Sequence, residues 1–245
     1  GMGMALAKNT NNVGCLGYYT GLVARAGMIG IMACNANASM APWGGAQAYF
    51  GTNPISISVP TKKGHPIVLD MASSIVARGK IRKASREKGK IPEGWALDKE
   101  GRPTTDPDEA LEGTLLPIGG PKGSGLAMVV DLVAGMLSGA SYGPSVRSFH
   151  SLEGPTGVGA AFIAIDPARF MGLDEYRGLV GAYIDDMKKT RKATGHPSIL
   201  SPGEIEAMRW ENARAAGVEL DDAAVSTLNE LLGKVGSGMV LGGLG

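Results

Sequence analysis

Two cysteines, Cys15 and Cys34, in 245 residues are too few and too close in sequence for a disulfide framework. Each sits in an apolar context, where a free thiol behaves as a small buried hydrophobe, so a reducing, cytoplasmic setting is expected. Neither sign of charge dominates. The 24 basic and 23 acidic side chains leave a net charge of +1, and no global field draws the chain toward nucleic acid or an anionic membrane. Small neutral or singly charged partners are expected instead. Long apolar runs are also missing: the longest, Gly125 to Ala140, is interrupted by Asp131 and falls short of a bilayer span. It reads as a buried helix, and no membrane segment is expected. The start of the chain has neither the basic residues nor the cleavage site of a signal peptide. Gly1-Met2-Gly3-Met4-Ala5-Leu6-Ala7 reads as the middle of a buried strand with no lead-in, which predicts a fragment of a longer protein.

Several catalytic signatures are absent as well. The sequence has no G-x-x-x-x-G-K-[ST], H-E-x-x-H, C-x-x-C or G-x-S-x-G motif. The G-x-G-x-x-G fingerprint also fails, because Gly123-Ser124-Gly125 is followed by Leu126, Ala127 and Met128. A dinucleotide bound here is therefore held without a Rossmann glycine turn.

What is present in excess is glycine, 38 residues, about twice the usual share. It clusters between apolar runs without a period, as tight turns and close backbone approach require. Periodicity predicts a strand over 2–8, a helix over 14–26 and a strand over 28–34, a β-α-β start. Pro54-Ile55-Ser56-Ile57-Ser58-Val59 alternates as a half-buried strand does, and with Pro66 to Asp70 it forms a hairpin turning at Lys63-Gly64. A basic helix over 74–90, carrying Arg78, Lys80, Arg82, Lys83, Arg86, Lys88 and Lys90, reads as a solvated face. Residues 91–117 are polar and turn-rich. A strand over 159–165 and a helix over 174–192 follow. Ser201-Pro202-Gly203-Glu204 fits a capping box with proline at the first helical position, opening a helix that runs to about Ala216. A last helix starts near Asp221, and 233–245 is a Gly-rich, frayed tail.

Three loops combine glycine and polar side chains with neighbouring regular structure. Ala41 to Pro54 is the first, with a plain turn equally consistent with its composition. In Leu69 to Ser74 a strand ends in Asp70 and passes toward a helix whose free N–H groups suit an anion, although a simple helix cap accounts for it too. In Gly119 to Gly125, Lys122 projects from a flexible loop at a helix start, where ammonium and helix dipole both favour a phosphate or carboxylate. It is the best anion site readable in the chain, and a turn lysine is the competing reading. His65, His150 and His196 form no recognisable catalytic dyad.

Together these segments resemble one family. Asn9-Thr10-Asn11-Asn12, Ala41-Pro42-Trp43-Gly44-Gly45, Gly51-Thr52-Asn53-Pro54-Ile55, Val68-Leu69-Asp70-Met71-Ala72-Ser73, Ala77-Arg78-Gly79-Lys80-Ile81, Gly119-Gly120-Pro121-Lys122-Gly123 and Pro202-Gly203-Glu204 stand in the order seen in malate/L-lactate dehydrogenase-type enzymes. Lys90-Ile91-Pro92-Glu93-Gly94-Trp95 and Pro103-Thr104-Thr105-Asp106-Pro107 look most like ureidoglycolate dehydrogenases.

The resemblance implies an α/β, non-Rossmann fold with a largely antiparallel central sheet flanked by helices. It implies a dinucleotide-binding sheet domain over 1–172, and a helical part over 173–232 that packs with an N-terminal helical segment not included in this sequence. It also implies a homodimer, NAD or NADP as cofactor, no metal, and a small 2-hydroxy or 2-keto acid as substrate. By the same resemblance Asp70, Met71 and Ala72 line the dinucleotide, Lys122 contacts it, and Gly203, Glu204 and Ile205 lie against it. Ala36 falls in another cofactor-contacting stretch, where relatives carry a hydroxyl. Asn12 stands at a catalytic position where many relatives have histidine, and an amide orients substrate but does not titrate. Relatives carry a further histidine and arginine upstream of the opening strand, so this chain alone is expected to turn over little substrate. Two alternatives are a cyclic imino-acid reductase of the same family and a non-catalytic dinucleotide-binding remnant.

Overall fold

The computed structural model describes residues 1–62 and 64–242. Its strands are β1 (Met2–Thr10), β2 (Ile29–Cys34), β3 (Ile55–Val59), β4 (Ile67–Met71), β5 (Ala96–Leu97), β6 (Pro103–Thr104), β7 (Thr114–Leu115) and β8 (Val158–Ile165). The α-helices are α1 (Leu16–Arg25), α2 (Arg78–Arg86), α3 (Pro107–Glu112), α4 (Pro121–Val130), α5 (Leu173–Lys189), α6 (Glu204–Ala216) and α7 (Asp222–Lys234).

Five strands form the main sheet in the order β1-β8-β2-β3-β4, and every neighbouring pair is antiparallel. The β-α-β start is real, but β1 and β2 do not pair; β8, from far along the chain, inserts between them. The expected hairpin is β3–β4, with Lys63 of its turn lying outside the described residues. The Rossmann order and its parallel ladder are absent from this sheet.

The period-two pattern of β3 holds, yet its buried positions are Ser56 and Ser58 rather than the isoleucines. Burying hydroxyls is tolerable only when they are bonded. Here Thr20 of α1 sits 2.8 Å from the Ser56 hydroxyl and 2.7 Å from that of Ser58, so three buried hydroxyls satisfy one another between helix and sheet. Below them Leu16, Met32, Cys34, Val158 and Ala160 form one apolar cluster.

The apolar run after Gly119 is not the loop-then-buried-helix expected. Gly120 (φ 61°) precedes Pro121 at the first helical position, so α4 already includes Lys122 and Gly123. At Asp131 the helix widens into a π-helical stretch, Asp131–Met136. One face, with Ala127, Val130 and Ala134, packs on the sheet and its neighbours. The other leaves Met128, Val129, Leu132 and Leu137 exposed. A single sheet covers only one side of the helix, which is why the run is half buried.

Residues 91–117, read as irregular, contain a three-stranded sheet in the order β6-β5-β7 together with α3, started by Asp106 accepting the Asp108 N–H at 2.8 Å. With α2 and part of α4 they build a second core of Met40, Phe50, Ile81, Ile91, Ala96, Leu115 and Ala127. Ile81 is completely buried there and anchors α2, which begins at Arg78, not at Ser74.

By compactness the chain divides into Gly1–Glu204 and Ile205–Gly245. The second unit holds α6 and α7; Asp221 caps α7 by accepting the Ala224 N–H at 2.7 Å, and the Leu241 N–H donates to the Asn229 side chain at 2.8 Å. The tail is thus tied back at Leu241, while residues 243–245 lie outside the described part. Among the described residues no helix is long and apolar enough to cross a membrane.

Candidate functional site

Because neighbouring strands are antiparallel, one edge of the main sheet collects the ends of β1, β2 and β4 and the starts of β3 and β8. A cleft of about 340 Å³ opens at that edge. Asn11 and Asn12 follow β1, Asn35 and Ala36 follow β2, Thr52 and Pro54 precede β3, Ala72 follows β4, and Thr156 with Val158 opens β8. Arg78 and Arg82 of α2 enter from one element, and Arg147, Phe149 and His150 from the segment before β8.

The lining holds three guanidiniums and one imidazole but no carboxylate. Arg78 donates to the Leu111 carbonyl at 2.5 Å and is half buried; burial pulls its pKa down, the neighbouring Arg82 adds to that, and Glu112 opposes it. Arg147 donates to the Glu153 carbonyl at 3.1 Å. The helix carrying Arg78 and Arg82 is therefore not merely a solvated face. Like charges one turn apart are the only local sign of this in the sequence. Nothing local marks Arg147 or His150, since they reach the cleft only through the pairing of β8 with β1 and β2.

The floor of the cleft is a buried polar network that sequence reasoning missed. The Asn53 side-chain oxygen accepts the Ala36 N–H at 3.0 Å, and its amide donates to the Ala127 carbonyl at 2.9 Å. Asn35 donates to Asp131 at 3.1 Å and to the Ser141 carbonyl at 2.8 Å, and accepts the Gly159 N–H at 2.9 Å. Asp131 also accepts the Gly143 N–H at 3.2 Å. Burial pushes the Asp131 carboxyl above the usual range, against these donors. The signal for it was the acid breaking an apolar run, and its helix widens into the π-helical stretch at that point.

Of the residues singled out beforehand, Asn12, Ala36 and Ala72 share the cleft. Asn12 is exposed, and its side-chain oxygen accepts the Gly14 N–H at 3.0 Å. Asp70 and Met71 end β4 beside it. The Asp70 carboxylate accepts the Gly17 N–H at 2.7 Å and the Cys15 thiol at 3.2 Å, so its helix contact is with the start of α1, not with the helix that follows it in sequence. Cys15 is exposed, contrary to the expectation of two buried thiols; partial burial, then the Asp70 hydrogen bond and charge, raise its pKa.

Lys122 does not line the cleft. It is exposed in the first turn of α4, next to the Met71–Ser73 segment, because the Ile118 N–H donates to the Ser73 carbonyl at 2.9 Å and Gly123 bonds back to Ile118 at 2.9 Å. Pro202 and Gly203 lie along β4 on the other side, where the Val68 N–H donates to the Pro202 carbonyl at 3.0 Å. Gly203 has φ 86°, so the helix begins only at Glu204 and Pro202 is not its first residue. The capping box is half formed: the Ser201 N–H donates to the Glu204 carboxylate at 2.9 Å, and the Ser201 hydroxyl donates to it at 3.0 Å instead of accepting. Lys188 pairs with the same carboxylate at 2.5 Å, and these contacts hold Glu204 down at about 2. Ile205 belongs to the second unit. His65 and His196 are exposed and outside the cleft.

Residues 1–229 match the malate/L-lactate dehydrogenase family. The chain belongs to that family. It is 43% identical over 236 residues to an L-sulfolactate dehydrogenase of Methanocaldococcus jannaschii, covering 96% of this chain and 67% of that one. A ureidoglycolate dehydrogenase (NAD(+)) of Escherichia coli K12 is 34% identical over 210 residues, covering 85% of this chain and 60% of its own length. The crystal structure of malate dehydrogenase from Entamoeba histolytica superposes with a TM-score of 0.93 at 31% identity, covering 98% of this chain and 70% of that one. The family's antiparallel, non-Rossmann architecture is therefore the one found here, and the chain spans about two thirds of the length of the relatives it matches.

Proposed function

We propose that this chain forms the catalytic cleft of an NAD(P)-dependent oxidoreductase that interconverts a small 2-hydroxy acid and its 2-keto acid. The observation that carries the reading is the cleft itself: small enough for such an acid, lined by three guanidiniums and no carboxylate, and assembled from the ends of all five strands. A guanidinium takes a carboxylate through two parallel N–H bonds, and no carboxylate lines the cleft to compete with an incoming anion. The names of the relatives, sulfolactate, malate and ureidoglycolate dehydrogenases, describe substrates of that kind.

The residues beside the cleft fit a dinucleotide. Lys122 is exposed, has no ion-pair partner among the described residues, and stands at a helix start where N–H groups and dipole favour phosphate. Pro202–Gly203 and the Gly119–Lys122 turn flank Asp70–Ala72 from two sides, with glycine at 119, 120 and 203 taking the positive φ these turns need, and with Gly120 packed on Trp43 and Gly203 on Val68. These residues, with Glu204 and Ala36, would hold the cofactor. When bound, the nicotinamide ring supplies or accepts the hydride at its C4 carbon.

Oxidising the carbinol removes one hydride and one hydroxyl proton, and the proton needs a local acceptor. His150 is the imidazole of the cleft, and a ring nitrogen can accept that proton. Asn12 hydrogen-bonds without titrating, so its part is to orient the hydroxyl or carbonyl oxygen. The arginines neutralise and align the substrate anion, which sets the reacting carbon toward the ring. A cyclic imino acid is a poorer match, because its protonated imine would meet three cations. The exposed apolar face of α4 and the π-helical stretch after it (Met128, Val129, Leu132) supports a homodimer that buries it.

The test is a panel of pyruvate, oxaloacetate, sulfopyruvate and a cyclic imino acid, each with NADH and NADPH, followed by loss of reduced nicotinamide absorbance. Oxidation with a 2-keto acid supports the reading. Turnover of the imino acid alone, or dinucleotide binding with neither binding nor turnover of any hydroxy or keto acid, rejects it.

A further inference from the structure

Phe149 and His150 are the two corner residues of a tight turn, in which the Ser151 N–H donates to the Ser148 carbonyl at 3.0 Å. In a strand, neighbouring side chains point to opposite faces. The turn brings these two together instead, with ring centroids 4.0 Å apart and planes tilted by 40°. At that separation the rings touch over part of their faces. The Ser148 hydroxyl accepts the His150 N–H at 3.2 Å, which fixes the backbone of the turn but not the imidazole. Among the described residues the imidazole makes no hydrogen bond of its own.

The turn stands on a closed neck. The Arg147 N–H donates to the Thr156 carbonyl at 2.9 Å, and the Arg147 guanidinium donates to the Glu153 carbonyl at 3.1 Å. Gly154 leaves room for that guanidinium, because a Cβ there would run into its Nη1. Thr156 is buried, and its hydroxyl donates to the Thr10 carbonyl at 2.6 Å, so the neck is tied to the end of β1 just before Asn11 and Asn12. The backbone carrying His150 is thus set against the Asn12 side of the cleft. What remains free is rotation of the imidazole about its own side-chain bonds, and a ring in contact with it restricts that rotation. Phe149 is exposed and belongs to none of the apolar core clusters, so core packing does not account for a phenyl group at this position. Both rings line the cleft.

We propose that Phe149 is the positioning residue of His150: its ring holds the plane of the imidazole so that a ring nitrogen meets the substrate hydroxyl in the direction proton transfer needs. The proposal rests on the reading of His150 as proton acceptor given above. Phe149 acts through His150 and touches neither the reacting atoms nor the dinucleotide.

Two variants test it, Phe149→Leu, which removes the ring, and Phe149→Tyr, which keeps one. The side chain is exposed and makes no hydrogen bond, so both should fold. The first readout is the proton NMR spectrum of the imidazole C–H groups of His65, His150 and His196 at one fixed alkaline pH, with His150 assigned by its disappearance in His150→Asn. The ring current of Phe149 should displace the His150 signals, Phe149→Leu should abolish the displacement, and Phe149→Tyr should preserve it. The second readout is the steady-state reduction of whichever of pyruvate, oxaloacetate and sulfopyruvate is turned over fastest. Phe149→Leu should lower kcat by about tenfold, with KM and the dinucleotide dissociation constant within about twofold, and Phe149→Tyr should recover most of the loss. In a His150→Asn background Phe149→Leu should lower kcat no further, because the residue through which it acts is gone. His150 signals that are the same in the parent and in Phe149→Leu would overturn the proposal. So would a raised KM at unchanged kcat, which assigns Phe149 to substrate contact, or an undiminished effect of Phe149→Leu in the His150→Asn background. Each of these leaves the hydroxy-acid reading intact. Full activity in His150→Asn, or turnover of none of the three acids by the parent, would overturn the proposal together with the reading on which it rests.

Discussion

The Asp70 carboxylate, at the end of β4, accepts the Gly17 N–H at 2.7 Å and so fastens the beginning of α1 to the strand that borders the cleft. It supplies from a distant segment the cap that Cys15, at the N-cap position, does not provide. Asp70→Ala should lower unfolding free energy by about 0.5–2 kcal/mol, the usual cost of a lost helix cap, and toward the low end because Asp70 is exposed. Asp70→Asn keeps an accepting oxygen and should cost less, as denaturant titration of both variants would reveal. Removing the acid also removes two of the causes that raise the Cys15 pKa, so alkylation of Cys15 at mildly alkaline pH should accelerate in Asp70→Ala. Unchanged stability and unchanged thiol reactivity would show that Asp70 acts only on a ligand.

Glu204 offers a sharper pH signature. Lys188, then the Ser201 N–H and hydroxyl, hold its carboxyl at about 2, against an ordinary value of 4.5. The folded state thus releases this proton more readily than the unfolded chain. Its contribution to stability is fully present above the ordinary value and is lost as pH falls from there through about 2. Glu204→Gln should therefore destabilise the protein at neutral pH, with a difference from the parent that shrinks steadily below pH 4.5. Paired denaturant titrations at neutral and strongly acidic pH measure it. A difference independent of pH would mean that the Lys188 pair is screened and contributes nothing.

What the sequence revealed and what it concealed divide along contact distance. The alternation of β3 and β4 and the sequence spacing between them specify their hairpin, because both partners and the turn lie in one short stretch. The insertion of β8 between β1 and β2 leaves no local trace, and the cleft depends on it: only that pairing brings Arg147 and His150 to the same edge as Asn12 and Ala36. Two-residue strands such as β5 and β6 have no period to detect. Of the residues that the family resemblance singled out, Asn12, Ala36 and Ala72 share the cleft, whereas Lys122 and Gly203 lie outside its lining. Arg78 and Arg82 lay within one of the family motifs or close behind it and read as surface charge, since a solvated helix and a cationic cleft wall have the same local composition.

Lys122 separates cofactor binding from substrate binding, because it sits outside the cleft next to Met71–Ser73. Its ammonium supports no ion pair in the described fold, so Lys122→Ala should leave the melting temperature unchanged. Loss of a charged hydrogen bond to phosphate should weaken dinucleotide binding by about 1–3 kcal/mol. Titration calorimetry with NAD(+) and NADP(+) gives the answer. A dissociation constant unaffected for both would make Lys122 a turn residue.

His150 and Asn12 present opposite chemical options at one cleft, an imidazole able to exchange a proton and an amide that is not. If His150 carries the proton, His150→Asn should lower kcat by about 10²- to 10⁴-fold while dinucleotide affinity stays the same. The ring of His150 is 4.0 Å from that of Phe149, and its backbone N–H bonds the Ser148 hydroxyl at 3.2 Å, contacts an asparagine side chain does not need, so folding should be unaffected. Asn12→His is the reciprocal experiment. It introduces a second imidazole but sacrifices the Asn12 oxygen that accepts the Gly14 N–H at 3.0 Å, so the turn from β1 into α1 loosens and kcat should fall or hold, not rise. The double variant then discriminates between two positions for one role. Recovery of the His150→Asn defect by Asn12→His would move the proton to the β1 side of the cleft, and full activity in His150→Asn alone would remove His150 from the chemistry.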